Sequence, residues 1–303
     1  MIVSRFAPAP TGWMHLGHVL NALYVWGVTR AAGGQVLLRI EDHDRRRSQR
    51  RYEQDLLDDL EWLGFVPDAP TLDAFRRGPC DGRQSDRGAI YEEELAALIG
   101  DGLVYACECS RSDIAAAASA SGDELCYAGT CAGKNLPLDT GLGLRVRFSE
   151  ATESFVDLRH GLVTQQPSRQ CGDMLIRDRD GHWTYQFAVT VDDCRQHVTL
   201  VVRGDDLLAS TGRQIQLARM LGRQTPPRFL HHPLIMKTAA QKLSKADGDT
   251  GIREMRAAGA TARAVIGQAA HLGGLIDAPC ELGVDAALAL IQRDWHARLR
   301  DVH

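Results

Sequence analysis

Two histidines three residues apart, His15 and His18, sit in the run RFAPAPTGWMHLGH. Residues 2–6 read as a short strand, a Pro/Gly turn follows, and a helix opens near His15 with apolar residues at Leu16, Val19, Leu20, Leu23 and Val28. A helix start leaves backbone N–H groups unpaired and carries the positive end of the helix dipole, so it can hold a phosphate. Imidazoles at this spacing share one face of the first turn and can donate to the same phosphate. The H-x-G-H pattern, with Gly17 between, suits nucleotidyl transfer.

Far downstream, residues 241–245 (QKLSK) place Lys242 and Lys245 around a serine in a polar stretch. Flexible ammonium groups on such a loop can close over a triphosphate as charge develops in the transition state. A third set is Cys107-x-Cys109 followed by Cys126, Tyr127 and Cys131. By ligand chemistry alone, the thiolates Cys107, Cys109, Cys126 and Cys131 would make a structural zinc site. Cys80, Cys171, Cys194 and Cys280 lack partner spacing and read as packed thiols.

These residues need a scaffold. Gly33-Gly34 supplies a helix stop, and residues 35–40 (QVLLRI) form the apolar run of a buried parallel strand. Residues 2–40 therefore predict a right-handed β-α-β unit whose strand ends bring Arg5, Glu41 and Asp42 to one crevice. The run 44–51 (DRRRSQRR) leads into an amphipathic helix over 52–63 and is a candidate contact for a phosphate backbone. A helix from about residue 91 precedes short cysteine-bearing strands and an Ala/Ser-rich loop at 115–121, which together read as an insertion. Strands return at 143–148, 174–177 and 198–202, and helical patterns run from Gly251 onward.

The chain has 303 residues, 44% hydrophobic and 24% charged, as in ordinary globular proteins, and its net charge of -4 argues against wholesale electrostatic binding of nucleic acid. Eight cysteines without a signal-peptide layout or a membrane-length apolar run predict a cytoplasmic protein with reduced thiols.

Taken together, HLGH and KLSKA (242–246) resemble the two signature motifs of class I aminoacyl-tRNA synthetases. RFAPAPTGWMHLGH, LLRIEDHD, DGHWTYQFAVTVDD, VVRGDDLLAST and HHPLIM resemble the glutamyl branch, nearly continuously from residue 2 to 247. The resemblance implies an α/β fold, a Rossmann-type parallel sheet with a zinc-containing insertion and a C-terminal helical region. The implied parts are a first Rossmann half at 1–100, an inserted acceptor-type subdomain at 101–172, a second Rossmann half at 173–236, and the KLSK loop with a helical subdomain at 237–303. An anticodon-binding domain would be expected beyond this point, but the sequence stops at His303. That early stop, with the C-x-C and Y-x3-C motifs, implies a short paralogue that attaches glutamate to queuosine in the anticodon of tRNA(Asp), working as a monomer.

The resemblance also implies roles. His15, Gly17, His18, Lys242 and Lys245 would bind ATP, normally with magnesium, and the two histidines and two lysines would stabilise the transition state. Arg5, Glu41, Tyr185 and Arg203, with the run Phe6, Ala7, Pro8 and Ala9, would bind L-glutamate. The zinc set becomes Cys107, Cys109, Tyr127 and Cys131, with Cys126 as the rival of Tyr127. Glutamate has two carboxylates and an ammonium, so arginine forks and a carboxylate are the groups to expect. Departures from the family pattern are Ala9 for a serine, Val189 for an asparagine and Ala246 for the last serine of the lysine motif. The alternatives are a tRNA(Glu)-charging enzyme, a small-molecule nucleotidyltransferase and a silent RNA-binding module. Activation of glutamate without tRNA is the expectation that separates the first of these from the short paralogue.

Overall fold

The computed structural model describes residues 1–117, 125–138, 141–238, 241–242 and 251–300. The chain begins with β1 (Val3–Phe6), α1 (Leu16–Ala31) and β2 (Gln35–Leu38). β1 and β2 pair in parallel from Val3 opposite Gln35 to Phe6 opposite Leu38. The strand expected over 35–40 ends at Leu38 by regular pairing, and Ile40 then bridges to Arg83. α1 is buried on every side, from Val19 to Thr29 apart from Asn21, which explains why its sequence is apolar nearly all round. It ends where Gly33, at φ +65, takes the left-handed turn that lets Gly34 N–H reach Thr29 C=O at 2.9 Å.

α2 (Arg50–Leu63), α3 (Leu72–Arg77) and α4 (Gly88–Gly100) cross to the cysteine region. There β3 (Val104–Cys107), α5 (Arg111–Ala117) and β4 (Gly143–Val146) appear. Ala115–Ala117, expected in a loop, thus finish a helix, since alanine loses least in helical conformation.

Next come the hairpin β5 (Glu153–Asp157) and β6 (Gly161–Gln165), then α6 (Pro167–Gln170) and β7 (Met174–Arg177). β7 pairs with β4, completing a three-stranded antiparallel sheet with β3. The chain then runs through α7 (Tyr185–Arg195), β8 (Leu200–Gly204), α8 (Thr211–Met220) and β9 (Arg228–His232), with a short 3-10 turn at Asp205–Ser210 ahead of α8. β5 pairs with β9 and β9 with β8, all in parallel, in the order β6-β5-β9-β8. Sheet membership therefore does not follow the expected boundary at 172/173: the hairpin before it joins the parallel strands, while β7 after it stays with the cysteine-bearing sheet.

Thr199 N–H donates to Val3 C=O at 2.8 Å and lays β1 alongside the start of β8, so the two halves meet at one set of strand ends. A small antiparallel pair, β10 (Met236–Thr238) and β11 (Gln241–Lys242), borders the lysine motif. α9 (Ile252–Ala257), α10 (Ala262–Leu272) and α11 (Val284–Arg300) complete the chain. α11 lies against α1 because Gly27 has no side chain: a β-carbon there would come within 2.7 Å of Ile291 Cγ2.

Candidate active site and cysteine cluster

His15 caps α1 from an extended conformation (φ -136), and its Nδ1 accepts the Gly17 N–H at 3.1 Å. His18 answers with Nδ1 accepting the His15 N–H at 3.2 Å, a reciprocal capping box built from two imidazoles. The ring centroids are 4.0 Å apart. An imidazole whose Nδ1 accepts carries its neutral-state proton on Nε2, so the local backbone assigns both rings the Nε2–H tautomer. Gly17 is required here, since a β-carbon would lie 2.9 Å from His15 Cε1. Two imidazoles thus sit side by side at the first turn of a helix, an arrangement suited to phosphate oxygens.

The lysine loop lies mostly outside the described residues, Lys245 and Ala246 included; Lys242 ends β11. The far side of the loop is anchored, because Ile252 N–H donates to Met14 C=O at 2.8 Å, one residue before His15.

Arg5, Glu41, Tyr185 and Arg203 come together at the strand ends, from β1, the residues after β2, the first turn of α7, and β8. Pro8 C=O accepts the Glu41 N–H at 3.0 Å and ties the run Phe6, Ala7, Pro8 and Ala9 to this cluster. Burial comes first among the influences on Glu41 and raises its carboxyl above the usual range, with Arg39, Arg5 and His43 opposing. Burial, then the Glu41 charge, pushes the Tyr185 phenol up to about 12. Val189, one turn along from Tyr185, is fully buried in the core.

Arg39 and Asp193 belong to the cluster and were not singled out in the sequence. Arg39 Nη1 donates to Asp193 Oδ1 at 2.8 Å and Nη2 to Glu41 Oε1 at 3.1 Å, while Arg5 Nε donates to the same Asp193 oxygen at 3.0 Å. The usable signal was the spacing R-x-E in LLRIEDHD, because residues two apart on an extended chain share a side. Burial by itself would raise the Asp193 carboxyl, but Arg5 and Arg39 outweigh it and hold the group below its usual range.

Arg203 differs from its neighbours. It is 4% exposed, and its three hydrogen bonds go to neutral groups: Nε to His231 Nε2 (2.9 Å), Nη1 to Gln214 Oε1 (2.7 Å) and Nη2 to Thr211 Oγ1 (2.9 Å). Among the described residues no carboxylate lies within ion-pair distance of it. Burial lowers its pKa, the expected response of a cation held away from water without a bonded counter-ion. Three of the five guanidinium donors are committed, which leaves two for a carboxylate.

The cysteines form a second centre. Sγ atoms of Cys107, Cys109 and Cys131 lie within 4.8 Å of one another, and Cys107 Sγ is 3.4 Å from Tyr127 Oη. Cys126 is not in this group; its sulfur contacts Ser168 C=O at 4.0 Å. Arg145 stacks on the Tyr127 ring, 3.7 Å from its centroid. Burial opposes ionisation of Cys107, yet hydrogen bonds involving Tyr127 and Arg145 carry its thiol below the usual range, toward the form that binds metals. Three thiols and a phenol at these separations fit the tetrahedral, sulfur-rich demands of a structural zinc ion. Separately, a cavity of about 380 Å³ starts at Pro10 and Asp42 and is lined by Arg45, Arg50, Glu53 and Arg83; it does not include Arg5, Tyr185 or Arg203.

The model of the class I (E and Q) tRNA synthetase catalytic domain matches residues 1–279. A glutamyl-Q tRNA(Asp) synthetase from Rhodobacter capsulatus is 38% identical over 279 residues, covering 86% of this chain and 96% of that protein. The one from Burkholderia mallei is 39% identical over 300 residues, covering 97% and 96%. Among solved structures, a glutamate tRNA ligase from Elizabethkingia meningosepticum in complex with its amino acid superposes with a TM-score of 0.77 at 27% identity, over 96% of this chain but only 65% of that longer one. Mycobacterium tuberculosis methionyl-tRNA synthetase, at 14% identity and a TM-score of 0.52, shares the fold alone.

Proposed function

Since the chain belongs to the class I tRNA synthetases, in the family of the glutamyl and glutaminyl catalytic domains, we propose that it is a ligase that activates L-glutamate with ATP and transfers it to queuosine in the anticodon of tRNA(Asp). The acceptor follows from the relatives, which match over nearly their whole length. The observation that carries the amino acid is Arg203, a buried guanidinium bonded only to neutral groups within the protein.

In the first step an oxygen of the glutamate α-carboxylate attacks the ATP α-phosphorus, the bond to the bridging oxygen breaks, and pyrophosphate leaves. No protein nucleophile is needed, so the protein's contribution is positioning and charge stabilisation. His15 and His18 donate through Nε2–H, Lys242 and Lys245 supply positive charge, and magnesium accompanies the phosphates. Arg5 and Arg203 take the carboxylates, Glu41 takes the ammonium, and Tyr185 orients the chain. In the second step a hydroxyl oxygen of queuosine attacks the adenylate carbonyl and AMP leaves.

Cys107, Cys109, Cys131 and Tyr127 would hold a structural zinc ion. The ion would fix the cysteine-bearing sheet. We place the reaction in the cytoplasm and assign it to a monomer; among the described residues no helix is long and apolar enough to cross a membrane.

The test is ATP–pyrophosphate exchange with glutamate and no tRNA, followed by acylation of tRNA(Asp) with and without queuosine. Exchange without tRNA and labelling confined to the queuosine-bearing tRNA are expected. Exchange only with tRNA(Glu), or equal labelling of both tRNA(Asp) forms, overturns the reading.

A further inference from the structure

Strands β5, β9 and β8 lie side by side, and their register places three charged or titratable side chains in a row. His231 of β9 is the direct cross-strand partner of Arg203 of β8, and Asp157 of β5 pairs with Phe229, two residues earlier on β9. The side chains of Asp157 and His231 have no solvent exposure. Asp157 Oδ2 accepts the His231 Nδ1–H at 2.7 Å and the His231 backbone N–H at 3.1 Å. Its Oδ1 accepts the backbone N–H groups of Arg159 and His160, both at 2.9 Å. A carboxylate receiving four donors can only accept, so the proton of a neutral His231 must sit on Nδ1. That leaves the Nε2 lone pair for Arg203 Nε–H at 2.9 Å, with Thr211 Oγ1 at 3.3 Å beside it.

We infer that Asp157 and His231 are positioning residues: the carboxylate sets the imidazole tautomer, and the imidazole sets the plane in which Arg203 offers its remaining donors to the glutamate carboxylate. Neither touches the substrate. A neutral imidazole can hold Arg203 without neutralising it, whereas a carboxylate in its place would compete with the substrate's own. The inference rests on the reading of Arg203 as a glutamate ligand.

Glutamate-dependent ATP–pyrophosphate exchange, with KM measured separately for glutamate and ATP, tests it. Asp157→Asn replaces one accepting oxygen by an amide donor and drives His231 toward the Nε2–H tautomer, which opposes the Arg203 Nε–H. Glutamate KM is expected to rise about tenfold or more with ATP KM unchanged. His231→Ala should do the same, and His231→Gln, whose amide oxygen can still accept from Arg203, should recover part of the loss. Unchanged glutamate KM in Asp157→Asn and His231→Ala, or a parallel rise in both KM values accompanied by a lower Tm, overturns the inference. Arg203→Ala is the control: if it leaves glutamate KM unchanged, the assignment of Arg203 itself fails, whereas a large rise there with none in the other two defeats only the positioning role. Nitrogen-15 shifts of His231 in the unaltered protein need no variant. A protonated Nδ1 with bare Nε2 supports the inference, and the reverse tautomer ends it.

Discussion

Arg39 and Asp193 meet through a 2.8 Å hydrogen bond at the centre of the candidate amino-acid site, and the same Asp193 oxygen also accepts from Arg5. Removing this carboxylate strips two buried arginines of a common counter-ion. Asp193→Asn should lose about 3–5 kcal/mol of stability and raise glutamate KM. The Asp193 carboxyl is held below its usual range, so its contribution is fully present above about pH 4 and is lost as pH falls through its lowered value. The Tm gap between the unaltered protein and Asp193→Asn should therefore narrow in acid. A gap that stays constant down to pH 2 would contradict the assignment.

His15 caps α1, and the proposed function gives it a second, separable duty, donating to phosphate. His15→Asp retains a capping acceptor but has no Nε2–H, so Tm should hold while exchange falls by about 10²–10³ in kcat. Gly17→Ala should displace the His15 ring and lower kcat as well, because its new β-carbon meets that ring. Normal exchange in both variants would remove His15 from the phosphate site.

Zinc content distinguishes the neighbours Cys126 and Tyr127. Metal analysis of purified protein should find about one zinc per chain. Cys126→Ser should leave that ratio intact, whereas Cys131→Ser should abolish it and Tyr127→Phe should weaken retention against a chelator. Loss of zinc in Cys126→Ser would make Cys126 the ligand.

Asp59 on α2 is 3% exposed, and burial, followed by the Asp55 charge, pushes its carboxyl up to about 7. With its pKa raised in the folded state, the associated stability is complete below about pH 3.9 and lost as pH rises through 7. Asp59→Asn stays neutral throughout. Melting curves should coincide near pH 4 and show the variant melting a few degrees higher at pH 8; an identical difference at both pH values would refute this account.

Arg45, Arg46 and Arg47 each face a carboxylate of this chain, respectively Asp42, Asp180 and Asp44. The three arginines are exposed, and although Asp42 is buried, such pairs are of small individual worth and the arginines can exchange partners. Reversing the three arginine charges should weaken tRNA binding and flatten its salt dependence while leaving glutamate activation intact. Unchanged binding would dismiss this patch.

The β1-α1-β2 start was legible because its apolar runs and Pro/Gly punctuation agree with the final fold. The β5 strand was not. Glu153, Phe155 and Asp157 point inward while Ser154 and Val156 point out, so two acids occupy the core face and the usual alternation is inverted. The same inversion concealed Asp157, and a partner on β9, 74 residues away, concealed what it does. Arg5, Glu41, Tyr185 and Arg203 were placed by resemblance and converge in space. Arg39 and Asp193 lie inside recognisable motifs, but apart from the R-x-E spacing that links Arg39 to Glu41, an ion pair spanning 154 residues leaves no local trace. The lysine motif was readable as sequence, though Lys245 lies beyond the described residues.

The seat of α11 on Gly27 has a consequence for how the protein is made. The helix that carries the histidine motif and the helix that closes over it lie roughly 250 residues apart in the chain, so their contact cannot form until the later helix has been synthesised. Ribosome-bound intermediates would carry the histidine motif on a helix with one side still open.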